Sequence, residues 1–257
     1  MIDVCTLALY FRVSTDFPLI VAANRDEHYD RPAAPPMVLT TEPKVLAGRD
    51  IRAGGTWLGV NERGVLAAVL NRRANGAETR DAPIRSRGLL CLDLLAYNSA
   101  AAARNFLVGH REPYHPFTLV FADSNDAWFA YNITDQIKIG KLTRGLHVFS
   151  NAVMHDEYSE KRQRAYALFA GIKPEQQRPS APISSWIGSF KEVLSDHTPG
   201  NGSGGPRDAI CVHGDVSGTV SSSVIFFSSS ARQFRTFYCG GAPCRNNFIE
   251  TPILDAP

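Results

Sequence analysis

Leu19-Ile20-Val21-Ala22-Ala23-Asn24-Arg25-Asp26-Glu27 is an apolar run that breaks abruptly into four polar residues, the pattern of a buried strand whose end delivers side chains to a site. Upstream, Cys5-Thr6-Leu7-Ala8-Leu9-Tyr10-Phe11 is a second strand-like run. One hairpin then brings a thiol, a guanidinium and two carboxylates within reach of one another. A carboxylate accepts bidentate hydrogen bonds from Arg, and a neighbouring cation stabilises a cysteine thiolate. The plainer reading of the same residues is a surface salt bridge closing a hairpin.

Outward from that hairpin, strand-like segments rich in aliphatic and aromatic residues cover about 4–12, 18–24, 56–61 and 65–71, with Asn61-Glu62-Arg63-Gly64 as the turn between the last two. Arg85-Ser86-Arg87-Gly88 opens a helical pattern through Leu89, Leu90, Leu92, Leu94 and Leu95, and Ser99 before Ala100 reads as the N-cap of a second helix. A second block of strands is predicted at about 117–123, 127–133, 136–140 and 146–150, with turns at Ser124-Asn125-Asp126 and Thr134-Asp135. Helical periodicity follows over Lys161 to Ala170 and Ser184 to Leu194, separated by a proline-bearing linker from Lys173 to Pro182. The glycine-rich stretch Thr198 to Pro206 is expected to be the mobile loop. Strands at about 208–213, 219–228 and 233–239 complete the pattern. Hairpins alternating with helix pairs in two blocks predict an α+β fold of two packed sheets covered by helices, in one domain over residues 1–257.

Composition narrows the function classes. The chain has 257 residues, 44% of them hydrophobic and 20% charged, which is ordinary for a globular protein with a sizeable core. A net charge of +2 leaves no strong field, so nucleic acid is not an expected partner. No apolar run approaches bilayer length, and the N-terminus lacks the pattern of a signal peptide, so a soluble, cytoplasmic protein is expected. The five cysteines, Cys5, Cys91, Cys211, Cys239 and Cys244, are odd in number and lie mostly in apolar runs, as reduced thiols do. Cys239 and Cys244 are too far apart for a thioredoxin-type pair. No second cysteine pair completes a zinc pattern, so no metal is expected.

Several ordered motifs carry a resemblance. They are Cys5-Thr6-Leu7, the run Ala22 to Glu27, Gly54-Gly55-Thr56-Trp57-Leu58-Gly59, Asn61 to Asn71, Phe149-Ser150-Asn151-Ala152 and Gly218-Thr219. Together they resemble the NRDE family, also called the transport and Golgi organization family, over nearly the whole chain. The resemblance implies a four-layer α/β/β/α sandwich similar to the N-terminal nucleophile hydrolases. In the cysteine-type members of that superfamily, such as bile-salt and penicillin amidases, a first-residue thiol is the nucleophile and its own α-amine, with a pKa of about 7.7–8, is the base. Carried over residue by residue, Cys5 matches the nucleophile, Arg25 and Asp26 the pair on the next strand, and Asn71 and Asn151 the oxyanion donors. Two departures stand out. Met1-Ile2-Asp3-Val4 precede Cys5 and bulky Ile2 keeps Met1 in place, so the Cys5 nitrogen is blocked. The family's Gly-Thr-Arg reads here as Gly218-Thr219-Val220, which removes a charge-stabilising group.

Each of these residues also has a structural reading. Cys5 fits a core thiol, Arg25 and Asp26 an ion pair holding strand ends, Asn71 and Asn151 turn caps, the glycines backbone geometry, and Trp57 the core. Two functions follow from the resemblance. The leading one is a non-catalytic carrier or chaperone for an amphipathic small molecule, with haem first because the family is linked to haem trafficking. Asn24, Arg25, Glu27, His28, Trp57 and Arg72 would form its ligand site, with Arg25, Arg49, Arg52 or Arg72 meeting propionates and His28 as an axial ligand. No cofactor is required, and without a Cys-x-x-Cys-His motif any haem cargo is non-covalent. The alternative is a cysteine amidohydrolase or acyltransferase acting on a linear amide or thioester after removal of residues 1–4. An interaction protein in secretory organisation is a third option, for which the chain offers no partner motif.

Overall fold

In a computed structural model of the protein, residues 5–72, 84–133, 136–150, 159–174, 183–199 and 208–256 are described. Strands β1 (Thr6–Phe11) and β2 (Leu19–His28) pair antiparallel, with Thr6 opposite Asn24 and Phe11 opposite Leu19. All of β1 and residues 19–27 of β2 are buried, as the uninterrupted apolar runs require of strands covered on both faces. Cys5 stands immediately ahead of β1 rather than inside it.

The chain continues through β3 (Ala33–Thr41), β4 (Lys44–Asp50), β5 (Leu58–Asn61), β6 (Leu66–Asn71), helices α1 (Arg87–Leu94) and α2 (Ala100–Gly109), β7 (Phe117–Ala122), β8 (Ala127–Ile133), β9 (Gln136–Leu142) and β10 (Gly145–Ser150). After them come α3 (Glu160–Gly171), α4 (Ile183–Leu194), β11 (Ser217–Ser228), β12 (Gln233–Gly240) and β13 (Ile249–Glu250). Two compact units result, one from Met1–Asp30 with Arg144–Ile253 and one from Arg31–Thr143 with Leu254–Pro257. The first holds the antiparallel sheet β10-β1-β2-β11-β12-β13, the second the antiparallel meander from β3 to β9 in chain order. Both are α+β.

Period-2 alternation decides which strand residues meet the helices. In the first unit Ala8, Tyr10, Ile20, Ala22, Val224 and Phe226 pack against Ala165, Phe169, Trp186, Phe190 and Leu194 of α3 and α4. Phe226 lies edge-on to Phe17, Trp186, Phe190 and Phe237, and the Tyr10 hydroxyl donates to the Phe169 carbonyl at 2.6 Å. In the second unit Ala67, Val69, Leu119 and Phe121 face Leu90, Leu94, Ala103 and Leu107 of α1 and α2. Ser86 and Ser99 cap those two helices through their side-chain oxygens, which accept from the Gly88 and Ala102 N–H groups.

Most strands lie within a few residues of their predicted positions, and three expectations change. The β3–β4 hairpin replaces an anticipated loop: β3 is a sheet edge and carries Pro35 and Pro36, tolerable only where no ladder hydrogen bond is needed. Strand β2 runs on to His28, so the polar residues Asn24–Glu27 are in the ladder, paired with β11. The stretch predicted as a strand at 208–213 forms none; its apolar residues are buried, but its backbone is satisfied otherwise. Cys211 N–H donates to the Asp196 carbonyl at 2.9 Å, and Val212 N–H donates to Thr219 Oγ1 at 2.9 Å. Most of the 173–182 linker and of the 198–206 loop, with the Thr134-Asp135 turn, lies outside the described residues.

Candidate active site

Because β2 alternates, Asn24 and Asp26 extend the helix-facing row of Ile20 and Ala22, while Arg25 and Glu27 belong to the other face. Arg25 and Asp26 therefore take different partners. The Arg25 Nη2 lies 3.7 Å from Glu27 Oε2, both side chains nearly fully buried. Glu27 Oε1 also accepts from the His28 N–H at 2.9 Å. Burial pushes the Tyr238 phenol above its ordinary pKa, opposed in part by the nearby Arg25 charge.

On the helix-facing row, Asp26 Oδ1 accepts from the Thr219 hydroxyl at 2.5 Å, and Oδ2 stands 3.6 Å from Nζ of Lys161, in the first turn of α3. Lys161 is 4% exposed, a site lysine seldom occupies unless paired. Desolvation lowers its ammonium pKa below the ordinary lysine value, opposed by the charges of Asp26, Cys5 and Asp208. The Cys5 thiol is half-buried and points its S–H at the Asp26 carbonyl oxygen, 3.8 Å away. A thiol, an amine whose pKa burial lowers and a carboxylate are thus gathered around one strand end, residue types that can serve as a nucleophile, a proton acceptor and an orienting group.

Thr219 does more than touch Asp26. Its N–H donates to the Val212 carbonyl, its hydroxyl oxygen accepts from Val212 N–H, and a bulge follows between Thr219 and Ser221. Val220, where the resemblance places an Arg, is the residue at that bulge, and its carbonyl accepts from Gly241 N–H. Gly218 approaches the Val212 carbonyl so closely that a Cβ there would lie 2.6 Å from its oxygen.

A sequence profile of the family described as Transport and Golgi organisation 2 matches residues 4–236. The chain belongs to the Transport and Golgi organisation 2 family. The cattle Transport and Golgi organization protein 2 homolog is 33% identical over 194 residues, 70% of this chain and 66% of that protein. The human homolog is 28% identical over the same extent. The chain thus spans just under two thirds of the length of these relatives. Among solved structures, penicillin V acylase from Agrobacterium tumefaciens is similar at a TM-score of 0.61 and 16% identity, over 92% of this chain and 83% of that one. A Caenorhabditis elegans ortholog of N-acylethanolamine-hydrolyzing acid amidase is similar at 0.55 and 14%, over 86% and 92%. At these identities the likeness is one of fold, that of the N-terminal nucleophile hydrolases.

Within this Transport and Golgi organisation 2 chain, several signature residues are engaged in building the fold. The Asn24 amide donates to the Leu194 and Ile210 carbonyls, both at 2.9 Å, and its oxygen accepts from Ser222 at 2.6 Å. Asn61 saturates its turn, donating to the Leu95 and Tyr97 carbonyls and accepting from Arg63 and Val65 N–H. Gly55 lies against the backbone of Gly88 and Leu89 at the start of α1, and Trp57 covers Gly48. Asn71 ends β6, and Arg72 after it stacks its guanidinium over Tyr131 and donates to the Asn132 carbonyl. Trp57, Asn71 and Arg72 all belong to the second unit, and His28 is the half-buried end of β2 in the first. Asn151 lies outside the described residues.

Lys161 did not emerge from the sequence, although a signal was there. It shares the spacing of Ala165 and Phe169, the buried stripe of α3, and a lysine on an apolar stripe is a functional hint.

Proposed function

We propose that this protein performs cysteine-dependent acyl chemistry, cleaving a linear amide or thioester, with Cys5 as nucleophile and Lys161 as its proton acceptor. The observation that carries this reading is the buried Lys161 amine, ion-paired to Asp26 and electrostatically coupled to the Cys5 thiol. Burial eases proton loss from Lys161, and its amine form takes the thiol proton; the sulfur attacks the acyl carbon, and the resulting ammonium returns the proton to the leaving amine as the C–N bond breaks. Water then hydrolyses the thioester and releases the carboxylate. Asp26, held by Thr219, orients the lysine. With Lys161 as base, the reading does not depend on a free α-amine at Cys5. The names of the two fold neighbours, an acylase and an amidase, are in keeping with it.

A second reading, a carrier of an amphipathic ligand such as haem, draws support from one specific feature. Arg25 is a nearly buried cation beside Glu27, and a cation in a desolvated site is a fitting partner for a ligand carboxylate. The test is hydrolysis of N-acyl amides and acyl thioesters by the full chain, beside a haem titration. The acyl reading expects turnover that is lost in Cys5→Ala and falls at least about a hundredfold in Lys161→Met. Absence of turnover, with a Soret change that Arg25→Ala weakens, would replace it with the carrier.

A further inference from the structure

The first unit holds a second chemical cluster, built from residues other than Cys5, Asp26 and Lys161. His197 lies just past the end of α4, Cys211 and His213 lie in the stretch between α4 and β11, and Cys244 lies in the turn after β12. One ligand atom from each residue falls within 4.8 Å of all the others. The edges are specific: Cys211 Sγ to Cys244 Sγ is 3.8 Å, Cys211 Sγ to His213 Nε2 is 3.8 Å, and His213 Nε2 to Cys244 Sγ is 3.3 Å. A tetrahedral zinc ion with bonds of about 2.3 Å to sulfur and about 2.05 Å to nitrogen needs edges of about 3.8 Å between sulfurs and about 3.6 Å between sulfur and nitrogen. The geometry points to a structural Cys2His2 site for a zinc ion, formed by His197, Cys211, His213 and Cys244.

The local chain explains how these residues converge. In Cys211-Val212-His213 the outer two side chains reach the cluster, while Val212 is 2% exposed, the alternation of extended backbone. His197 Nδ1 is 3.1 Å from the Cys211 carbonyl oxygen, so an N–H there donates to that carbonyl and leaves the lone pair on Nε2. Such a hydrogen bond orients a ligating imidazole and selects its tautomer. Two thiolates neutralise the charge of a divalent ion, and this sulfur–nitrogen set suits borderline-soft zinc rather than magnesium or calcium.

The consequence reaches the active site. Backbone bonds tie Val212 to Thr219 and Thr219 holds Asp26, so the metal would pin the stretch between two of its own ligands against the strand carrying Asp26. Because this stretch has no sheet ladder of its own, a metal is an effective anchor.

The test is metal content of the full chain purified under reducing conditions without chelator, followed by replacement with Co(II). One zinc per chain is expected, retained through gel filtration, lost in Cys211→Ser and in Cys244→Ser, and kept in Cys5→Ser. His197→Ala, at an exposed position, keeps the fold and loses zinc to a chelator that the parent protein resists. The cobalt protein should show visible bands of tetrahedral Co(II) and a thiolate charge-transfer band, both missing in the Cys244→Ser variant. Zinc absent or lost on gel filtration, equal retention in Cys211→Ser and Cys5→Ser, or a Cys211–Cys244 disulfide in the native protein would each overturn the assignment.

Discussion

Lys161 and Asp26 show how the value of a charge depends on where it sits. Removing one partner of a buried pair leaves the other desolvated and uncompensated, so Lys161→Met should destabilise the protein by about 3–5 kcal/mol, read as a shift of the urea midpoint. Combining it with Asp26→Asn should recover most of that loss, because the charge left behind is removed too. The pH dependence has a definite sign. Burial holds the Lys161 pKa below its ordinary value of 10.5, so between the two the unfolded chain carries the extra proton. Stability therefore gains a rising contribution as pH climbs through that interval, and the Lys161→Met/Asp26→Asn protein should lack it. Equal pH slopes for the two proteins would show that Lys161 is not perturbed by burial. Cys5 should be alkylated by iodoacetamide at neutral pH about tenfold more slowly in the same double variant, since an amine that takes or balances the thiol proton is gone.

At the scale of elements, β2 and β11 are joined by side chains as well as by their ladder. Thr219→Val keeps the shape but removes the hydroxyl that serves both Asp26 and Val212 N–H, and should cost about 1–3 kcal/mol by denaturant unfolding. Should Thr219→Val prove neutral, the Thr219 hydroxyl does not orient Asp26. Strands β1, β2 and β5 to β12 could be read from sequence, most plainly β1, β2, β6, β7 and β11, where burial on both faces leaves an apolar run. The β3–β4 hairpin was illegible because an exposed edge strand needs no apolar alternation and admits Pro35 and Pro36. Residues 208–213 misled in the opposite direction: Ile210 and Val212 are as buried as strand residues, but their backbone partners include side chains, the Asn24 amide from a distant strand and the Thr219 hydroxyl from the strand that follows. Nothing local announces such partners. The same applies to the histidine and cysteine cluster, where Cys211 and Cys244 are 33 residues apart and spacing rules for adjacent cysteines do not operate.

For the whole molecule, each unit has its own core, and the first is organised around aromatic rings meeting edge to face at Phe226. Phe226→Ala should cost about 3–5 kcal/mol, since four neighbouring rings cannot all collapse into the space it leaves; a cost under about 1 kcal/mol would mean that the core repacks freely. Resemblance gave the fold and the family, and it drew attention to the run from Asn24 to Glu27. What alternation along β2 then added is a division of labour, with Asn24 and Asp26 serving the helix side and Arg25 and Glu27 the other. Lys161 was hidden because a lysine in a helix reads as a solvated charge until the packing of its stripe is known. Among the described residues no helix is long and apolar enough to cross a membrane. The central claim is that Cys5 accepts an acyl group with help from Lys161, and intact mass with peptide mapping after brief exposure of the full chain to an acyl thioester tests it most directly. A single acyl adduct on Cys5 is predicted, absent from Cys5→Ala and strongly reduced in the Lys161→Met/Asp26→Asn protein. No adduct, or one formed equally fast in that double variant, would contradict the account.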